Sequence, residues 1–448
     1  MTDTAERTEV GTDAVSAVTA WLEENWDPDL TVGEWWERLG LSGWAAPNLP
    51  ENAYGRGLNR NDSVAVQKAI SDFGALSAPG GLGLLLAAPT IAAHGTQEQI
   101  DLYVREIVTG QKAWCQLFSE PGAGSDLAGL QTRAIKDGEQ WVVTGQKVWT
   151  SGGQVADLGM LIARTDPDVP KHQGITYFAI DMHQPGVEIR PLVEMTGHAM
   201  FNEVFMEEAI VPDDALIGGL NNGWAVANTT LMNERAGLGS GGGHAAASAA
   251  TPGTVVKDLA KRAGDFVSGG GGRKKSRGDS SGSGAVGMLG AGYSLLVELA
   301  KGNGKIADPS IRQDLVRLHT LNELGRMNNL RAKAAKAAGL PDIPGLPNIS
   351  KLSMSEIVRQ QRDIGLKILG PYGTLHGYTG EQTARNNEAT GNPFVGMVTS
   401  LALFAQAPPI YGGTDQIQRN IIGERVLGLP KEANNDKTAA FKELPKNA

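Results

Sequence analysis

Apolar residues change their spacing twice along this chain, and the two changes leave few folds open. From about Asp13 to Lys112 they recur at helical spacing, in WLEENW, GEWWERLG and SVAVQKAISDF. From Ala113 to about Pro212 they fall into short alternating runs, QWVVTG, LGMLIA, ITYFAI and EVFME, divided by Asp-Gly, Gly-Gly and Pro-Gly turn signals. Beyond Gly223 helical spacing returns in WAVANTTLMNER and in the stretches 310–338, 350–370 and 414–426. The order is helical, β, helical. This predicts an α+β chain with an α-helical domain over 1–112, a compact β domain over 113–222 and a second helical domain over 223–448. At 448 residues and 41% hydrophobic content, the chain can build a large core.

Composition narrows the function classes. A net charge of -9 argues against a nucleic-acid partner, which would need a broad basic face. One cysteine, Cys115, excludes an intrachain disulfide and a thiolate cluster, and the seven histidines are scattered with no His-x-x-x-His pair, so no metal site is expected. The start of the chain is polar and acidic, unlike a secretory signal, which points to the cytoplasm. Residues 75–93 lack charge over nearly a membrane-spanning length, but Pro79, Gly80, Gly81, Gly83 and Pro89 interrupt them. Two buried helices joined by a turn are expected there, not a membrane span.

Residues 237–293 are dominated by Gly, Ser and Ala and read as a flexible surface insertion. Two nucleotide-binding patterns within it are coincidental. GSGAVG at 282–287 follows a polar tract where the dinucleotide motif needs a strand, and GGGGRKKS at 269–276 has Lys274 where a phosphate loop needs glycine. The basic run Arg273–Arg277 is a solvated loop on this reading.

Two segments carry the chemistry. QLFSEPGAGSD at 116–126 sets two glycines and a proline among hydroxyl and carboxylate residues, a tight loop whose backbone can approach a ligand closely. GQKVWTSGG at 145–153 follows after one intervening β unit. Alone, the first reads equally as a glycine turn, and Trp149 of the second as a core residue. Together, and with YGGTDQIQR at 411–419, they resemble the flavin-binding signatures of the acyl-CoA dehydrogenase family. The resemblance extends through GLSGWAAPNLP (40–50), HGTQEQI (94–100), 186–207 and 308–429.

That resemblance implies an α-helical domain, a central β-barrel-like domain and a carboxy-terminal helical bundle. It implies FAD as cofactor, an acyl-CoA thioester as substrate and a trans-2-enoyl-CoA as product. An electron-transfer flavoprotein or similar acceptor and a homo- or hetero-oligomeric dimer of dimers belong to the same expectation. Gln116, Phe118 and Ser119 would border the flavin ring, and Ser125 would contact the pyrophosphate region or the thioester arm. Trp149 would lie against the ring, with the Ser151 hydroxyl toward N5, while Thr414 and Gln416 match further cofactor-contacting positions.

The expected chemistry needs a carboxylate base for the α proton and a flavin N5 to take hydride from the β carbon. Many family members carry that base as a glutamate after the tyrosine of the last motif, where this chain has Gly412. The isovaleryl-CoA and long-chain branch places it on the first long helix of the final domain, where this chain has Glu234 followed by Arg235. Glu234 is therefore the expected base and Arg235 a substrate-side neighbour. Gly412 is left a backbone role, its N–H polarising the thioester carbonyl. Around 299–309, and at Lys367 and Pro371, the chain departs from positions that usually reach a neighbouring subunit's FAD. Such departures are similar to those of actinobacterial heterotetramers in which one chain type of each pair completes a FAD site. The alternatives are a half-site or non-catalytic partner subunit and a flavin oxidase or monooxygenase on the same fold.

Overall fold

The first helices follow from tryptophans placed on one face. After α1 (Thr2–Asn25), helix α2 (Val32–Leu41) opens with a capping box in which the Thr31 hydroxyl accepts the Glu34 N–H at 3.2 Å and the Glu34 carboxylate accepts the Thr31 N–H at 2.9 Å. Its buried face is Val32, Trp35, Trp36 and Leu39. Both indoles donate out of the core, Trp35 to the Leu76 carbonyl at 2.7 Å and Trp36 to that of Ser77 at 2.8 Å. Helix α3 (Arg60–Phe73), capped by Asn59, packs on α1. The computed structural model describes residues 2–239, 250–267, 281–433 and 436–445. Its contacts form two units, one of Met1–Leu192, Phe201–Arg273 and Asn434–Ala448, the other of Val193–Met200 and Lys274–Ala433.

In the first unit the charge-free stretch departs from expectation. Residues 81–94 form one helical run, a π turn over Gly83–Ala87 leading directly into α4 (Ala88–His94). The Ala88 N–H bonds back to the Gly83 carbonyl, and this wider turn takes in Pro89, which has no N–H, without breaking the run. Helix α5 (Gln97–Gln99) passes through a second π turn into α6 (Arg105–Val108). Among the described residues no helix is long and apolar enough to cross a membrane.

Eight strands follow: β1 (Trp114–Leu117), β2 (Arg133–Asp137), β3 (Gln140–Ser151), β4 (Leu158–Arg164), β5 (Ile175–Asp181), β6 (Val187–Leu192), β7 (Phe201–Pro212) and β8 (Leu216–Ile217). They form a mixed sheet in the order β6-β7-β3-β2-β4-β5-β8, with β1 parallel to β4. The alternating runs of the sequence lie on β3, β4, β5 and β7. Of the other four, β1, β2 and β8 have five residues or fewer, and the alternation of β6 at Val187 and Ile189 is cut short by Pro191, which is why pattern alone did not reveal them. Helix α7 (Gly223–Gly239) packs on β5 and on α4.

The expected flexible insertion is corrected for its described parts. Residues 250–267 lie in the first unit, with Ala250 and Ala263 in its core. The Val32 N–H donates to the Lys261 carbonyl at 2.8 Å, Ala263 N–H to that of Leu30 at 2.8 Å, and Gly253 N–H to that of Gly110 at 2.8 Å. Leu259, Phe266 and Val267 pack against the same core, so this stretch carries its own apolar anchors, which the Gly/Ser-rich average of 237–293 hides. In the second unit α8 (Ser281–Gly302) is helical and contains the GSGAVG pattern. Residues 240–249 and 268–280, with the basic run, lie outside the described residues.

The second unit continues with α9 (Pro309–Ala337), α10 (Leu346–Leu369), α11 (Gly380–Thr390), α12 (Val395–Phe404) and α13 (Asp415–Ile421). The helical spacing at 310–338, 350–370 and 414–426 therefore reads true, the last as α13 plus a π turn over Ile422–Val426. Leu296, Ile311, Leu315, Ile364, Ile368 and Val398 form its core.

Gly110 has φ +69°, and a Cβ there would stand 2.1 Å from the Trp36 ring. Gly110→Ala is expected to cost about 2–4 kcal/mol in denaturant unfolding. Gly138→Ala, at φ +61° with nothing within 4 Å, should cost only about 1 kcal/mol.

Candidate functional site

The two glycine-bearing segments meet through a buried ion pair. Lys147, fully enclosed on the face of β3 that carries Trp141 and Val143, places its Nζ 2.9 Å from Glu120 Oε1 in the first loop. The same Nζ donates to the Phe118 carbonyl at 3.0 Å, and the Val148 N–H donates to that of Ser119 at 2.9 Å. Glu120 accepts in addition from the Gln131 and Thr132 N–H groups at 2.6 and 2.9 Å. Burial would push the Glu120 carboxyl up, but Lys147 and the Gln131 and Thr132 donors hold it below the ordinary carboxylate range. Burial pulls the Lys147 ammonium down, and Glu120 opposes the pull. Pro121 and Gly122 form the turn between Glu120 and Ala123, whose backbones exchange two hydrogen bonds at 3.1 Å. On β3, Gly145 lies so close to Thr132 that a Cβ would meet its Oγ1 at 2.3 Å.

This lock arranges the expected residues of the first unit. Gln116 is half-buried on β1, and its Nε2 has no hydrogen-bond partner among the described residues. Phe118 is buried, Ser119 half-buried and Ser125 exposed. A bulge in the β3–β7 pairing, between Lys147 and Thr150, turns Trp149 out of the sheet. Trp149 has φ +64° and is 56% exposed, which overturns its reading as a core residue. Phe201 meets its ring edge-on at 5.7 Å. Below it, Asn202 donates to the Thr150 carbonyl at 3.0 Å and fixes the bulge, and Ser151 is half-buried at the strand end. A strained, exposed indole on β3 and an amide without a partner on β1 are groups that could hold a flat ligand with polar edges.

A second chain of contacts runs from the loop to α7. Phe118 meets Tyr177 of β5 edge-on at 6.0 Å, and the Tyr177 hydroxyl lies 3.4 Å from Thr230 Oγ1. Thr230 also meets Thr90 of α4 at 3.0 Å. Glu234 follows Thr230 by one helical turn and is half-buried, with Arg235 next on the helix.

Gly412, Thr414 and Gln416 belong to the second unit. Gly412 has φ +62° and its carbonyl accepts from Gln418 Nε2 at 3.0 Å. Thr414 is the N-cap of α13, accepting the Ile417 N–H at 3.2 Å, while Gln416 is exposed. Asp415 anchors the turn from below, paired with Lys351 and Arg359 at 3.1 Å each. Lys367 is paired with Asp314 at 2.7 Å.

The residues that sequence reasoning missed are Glu120, Lys147 and Asp415. Lys147 had left a signal, since a lysine in phase with Trp141 and Val143 on a half-buried strand needs a buried acid. Lys147→Met strands the Glu120 charge, and urea unfolding should show a loss of about 3–5 kcal/mol. Adding Glu120→Gln should restore part of that loss.

Residues 7–111, 115–209 and 280–427 match, in turn, the acyl-CoA dehydrogenase N-terminal, middle and C-terminal domains. The chain is similar to acyl-CoA dehydrogenase IpdE1 of Mycobacterium tuberculosis, 33% identical over 400 residues that cover 89% of this chain and 88% of that protein. It is also similar to acyl-CoA dehydrogenase FadE34 of the same organism, 48% identical over 203 residues, which are 45% of this chain but only 28% of that protein. Two solved structures share the fold. One is the Tcur3481-Tcur3483 steroid ACAD, at TM-score 0.63 and 23% identity over 96% of this chain and 98% of that one. The other is the ChsE4-ChsE5 complex from Mycobacterium tuberculosis, at TM-score 0.61 and 24% identity over 95% and 98%. With three domain matches in order and a full-length relative at this identity, the chain belongs to the acyl-CoA dehydrogenase family of flavin-dependent oxidoreductases.

Proposed function

We propose that this chain catalyses the FAD-dependent α,β-dehydrogenation of an acyl-CoA thioester to a trans-2-enoyl-CoA. The observation that supports this most is the locking of the two motif loops by Lys147 and Glu120, with Trp149 held out of the sheet in a strained backbone. On this reading Trp149 covers one face of the flavin and excludes water, and Gln116, Ser119 and Ser151 hydrogen-bond its polar edge. Phe118, buried between the loop and Tyr177, fixes the floor. Bound FAD supplies the hydride acceptor, and an electron-transfer flavoprotein is the proposed reoxidant.

The remaining work falls to the chain's own side chains. Glu234 removes the α proton, its helical turn held by the contacts of Thr230 with Thr90 and Tyr177. Ser125, exposed at the loop tip, and Arg235 are assigned to the substrate. A panel of straight, branched and steroid-side-chain CoA esters with an artificial electron acceptor tests the activity and identifies the acyl group. Glu234→Gln should keep its flavin absorbance and lose about 10²–10⁴-fold in turnover. Undiminished turnover would remove Glu234 as the base.

A second reading, a subunit whose cofactor site is completed by another acyl-CoA dehydrogenase-type chain, is supported by Lys367. This residue replaces a cofactor-reaching position of the family and is already paired with Asp314. The ChsE4-ChsE5 complex, one chain of which shares this fold, is by its name an assembly of two components. Flavin absorbance per chain, measured alone and after co-expression with a candidate partner, separates the readings. Stoichiometric FAD and turnover in the isolated chain would overturn the second.

A further inference from the structure

Residues 436–445 belong to the first unit and lie beside the loop that bears Ser125, held by specific contacts. The Phe441 N–H donates to the Val169 carbonyl at 2.9 Å and the Lys442 N–H to that of Pro167 at 3.0 Å, while Lys442 Nζ pairs with Asp168 at 2.7 Å. The Phe441 ring stacks under the Arg164 guanidinium, 3.7 Å from its centre. Arg164 is buried and donates to the Lys171 carbonyl at 2.5 Å and to the Ala128 carbonyl at 2.6 Å, three residues beyond Ser125. Lys171, 6% exposed, joins the two sides. Its Nζ contacts both Asp126 oxygens at 2.9 Å and Asp436 at 2.5 Å. Between loop and segment remains a cavity of about 190 Å³ bounded by Asp126, Gly129, Gln131, Lys171, Asp436 and Phe441. The segment therefore touches the loop through the Asp436–Lys171 ion pair and buries Phe441 against Arg164.

We propose that residues 436–445 are a strap whose Phe441 and Asp436 act as positioning residues. Through Arg164 and Lys171 they set where the 122–130 loop, and with it Ser125, stands to receive acyl-CoA. The inference rests on the proposed dehydrogenase reading for Ser125's role, but not for the strap itself. Lys171 is the ion-pair partner of Asp126 and Arg164 lies within electrostatic reach of the same carboxylate, so losing Asp436 or the Phe441 stack loosens the two cations that hold the loop.

The test compares Phe441→Ala, Phe441→Tyr and Asp436→Asn in the full chain, by hydrogen exchange at 122–130 and by KM and kcat. Phe441→Ala should speed exchange in that loop and raise KM for acyl-CoA by about five-fold or more, with kcat within about two-fold. Phe441→Tyr, which keeps the ring, should restore both. Asp436→Asn, which leaves the backbone contacts in place, should move both readouts in the same direction and by less. Unchanged exchange at 122–130 in Phe441→Ala and Asp436→Asn, or faster exchange with unchanged KM, would overturn the strap. Wild-type chain that turns over no CoA ester would overturn the dehydrogenase reading instead, and the exchange measurement would still decide whether the strap holds the loop.

Discussion

A fully buried lysine is costly unless a carboxylate answers it, and the arrangement of the first unit follows from how Lys147 is answered. Its Nζ reaches Glu120 and the Phe118 carbonyl, so the strand bearing one motif is tied to the loop bearing the other. Glu120 is committed on its remaining sides to the Gln131 and Thr132 N–H groups, which fixes where the chain leaves the loop. Solvent-exposed ion pairs elsewhere on the chain contribute little by comparison. Here the partners are withdrawn from water, and geometry rather than charge count decides the outcome.

Rigidity at Lys147 also makes the strain at Trp149 sustainable. A non-glycine residue at φ +64° is unfavourable, and the bulge that demands it survives because the strand is pinned on both sides, by Lys147 before it and by Asn202 on the Thr150 carbonyl after it. The product is an indole that is the one exposed side chain on β3, while Gln116 on β1 keeps an amide nitrogen with no partner among the described residues. A sheet optimised for stability alone would place neither there. From the same loop, Phe118 and Tyr177 reach Thr230, one turn ahead of Glu234, so the 116–126 loop and the proposed base share a connected set of packed side chains.

Much of this was legible beforehand, and the misses have physical causes. Periodicity located α1, α2, α3, α7, α9, α10, α13 and the four long strands but not α8, α11 or α12, and the glycine-rich loops pointed to the family. Strands β1, β2 and β8 escaped because so few residues carry no readable alternation, and β6 because its alternation, Val187 and Ile189, stops at Pro191. Residues 250–267 escaped because composition averaged over 237–293 drowned Leu259, Phe266 and Val267, which pack on the core, in the surrounding glycine and serine. The continuous helix through Pro89 escaped because a π turn leaves no sequence mark. At the candidate site, residue types suggested what touches a ligand, yet not what holds those residues in place. Glu120, Lys147 and Asp415 act through their partners, and partners distant in sequence are set by the fold.

The central claim is that the locked loops present Trp149 to a bound flavin, and flavin emission tests it most directly. Fluorescence of the bound cofactor is compared between the wild-type chain and Trp149→Leu at equal flavin occupancy, in whichever assembly binds FAD. Stacking on an indole quenches flavin, so emission should be low in the wild type and should rise clearly in the variant. Equal emission in the two proteins would contradict the placement of the flavin against this loop pair.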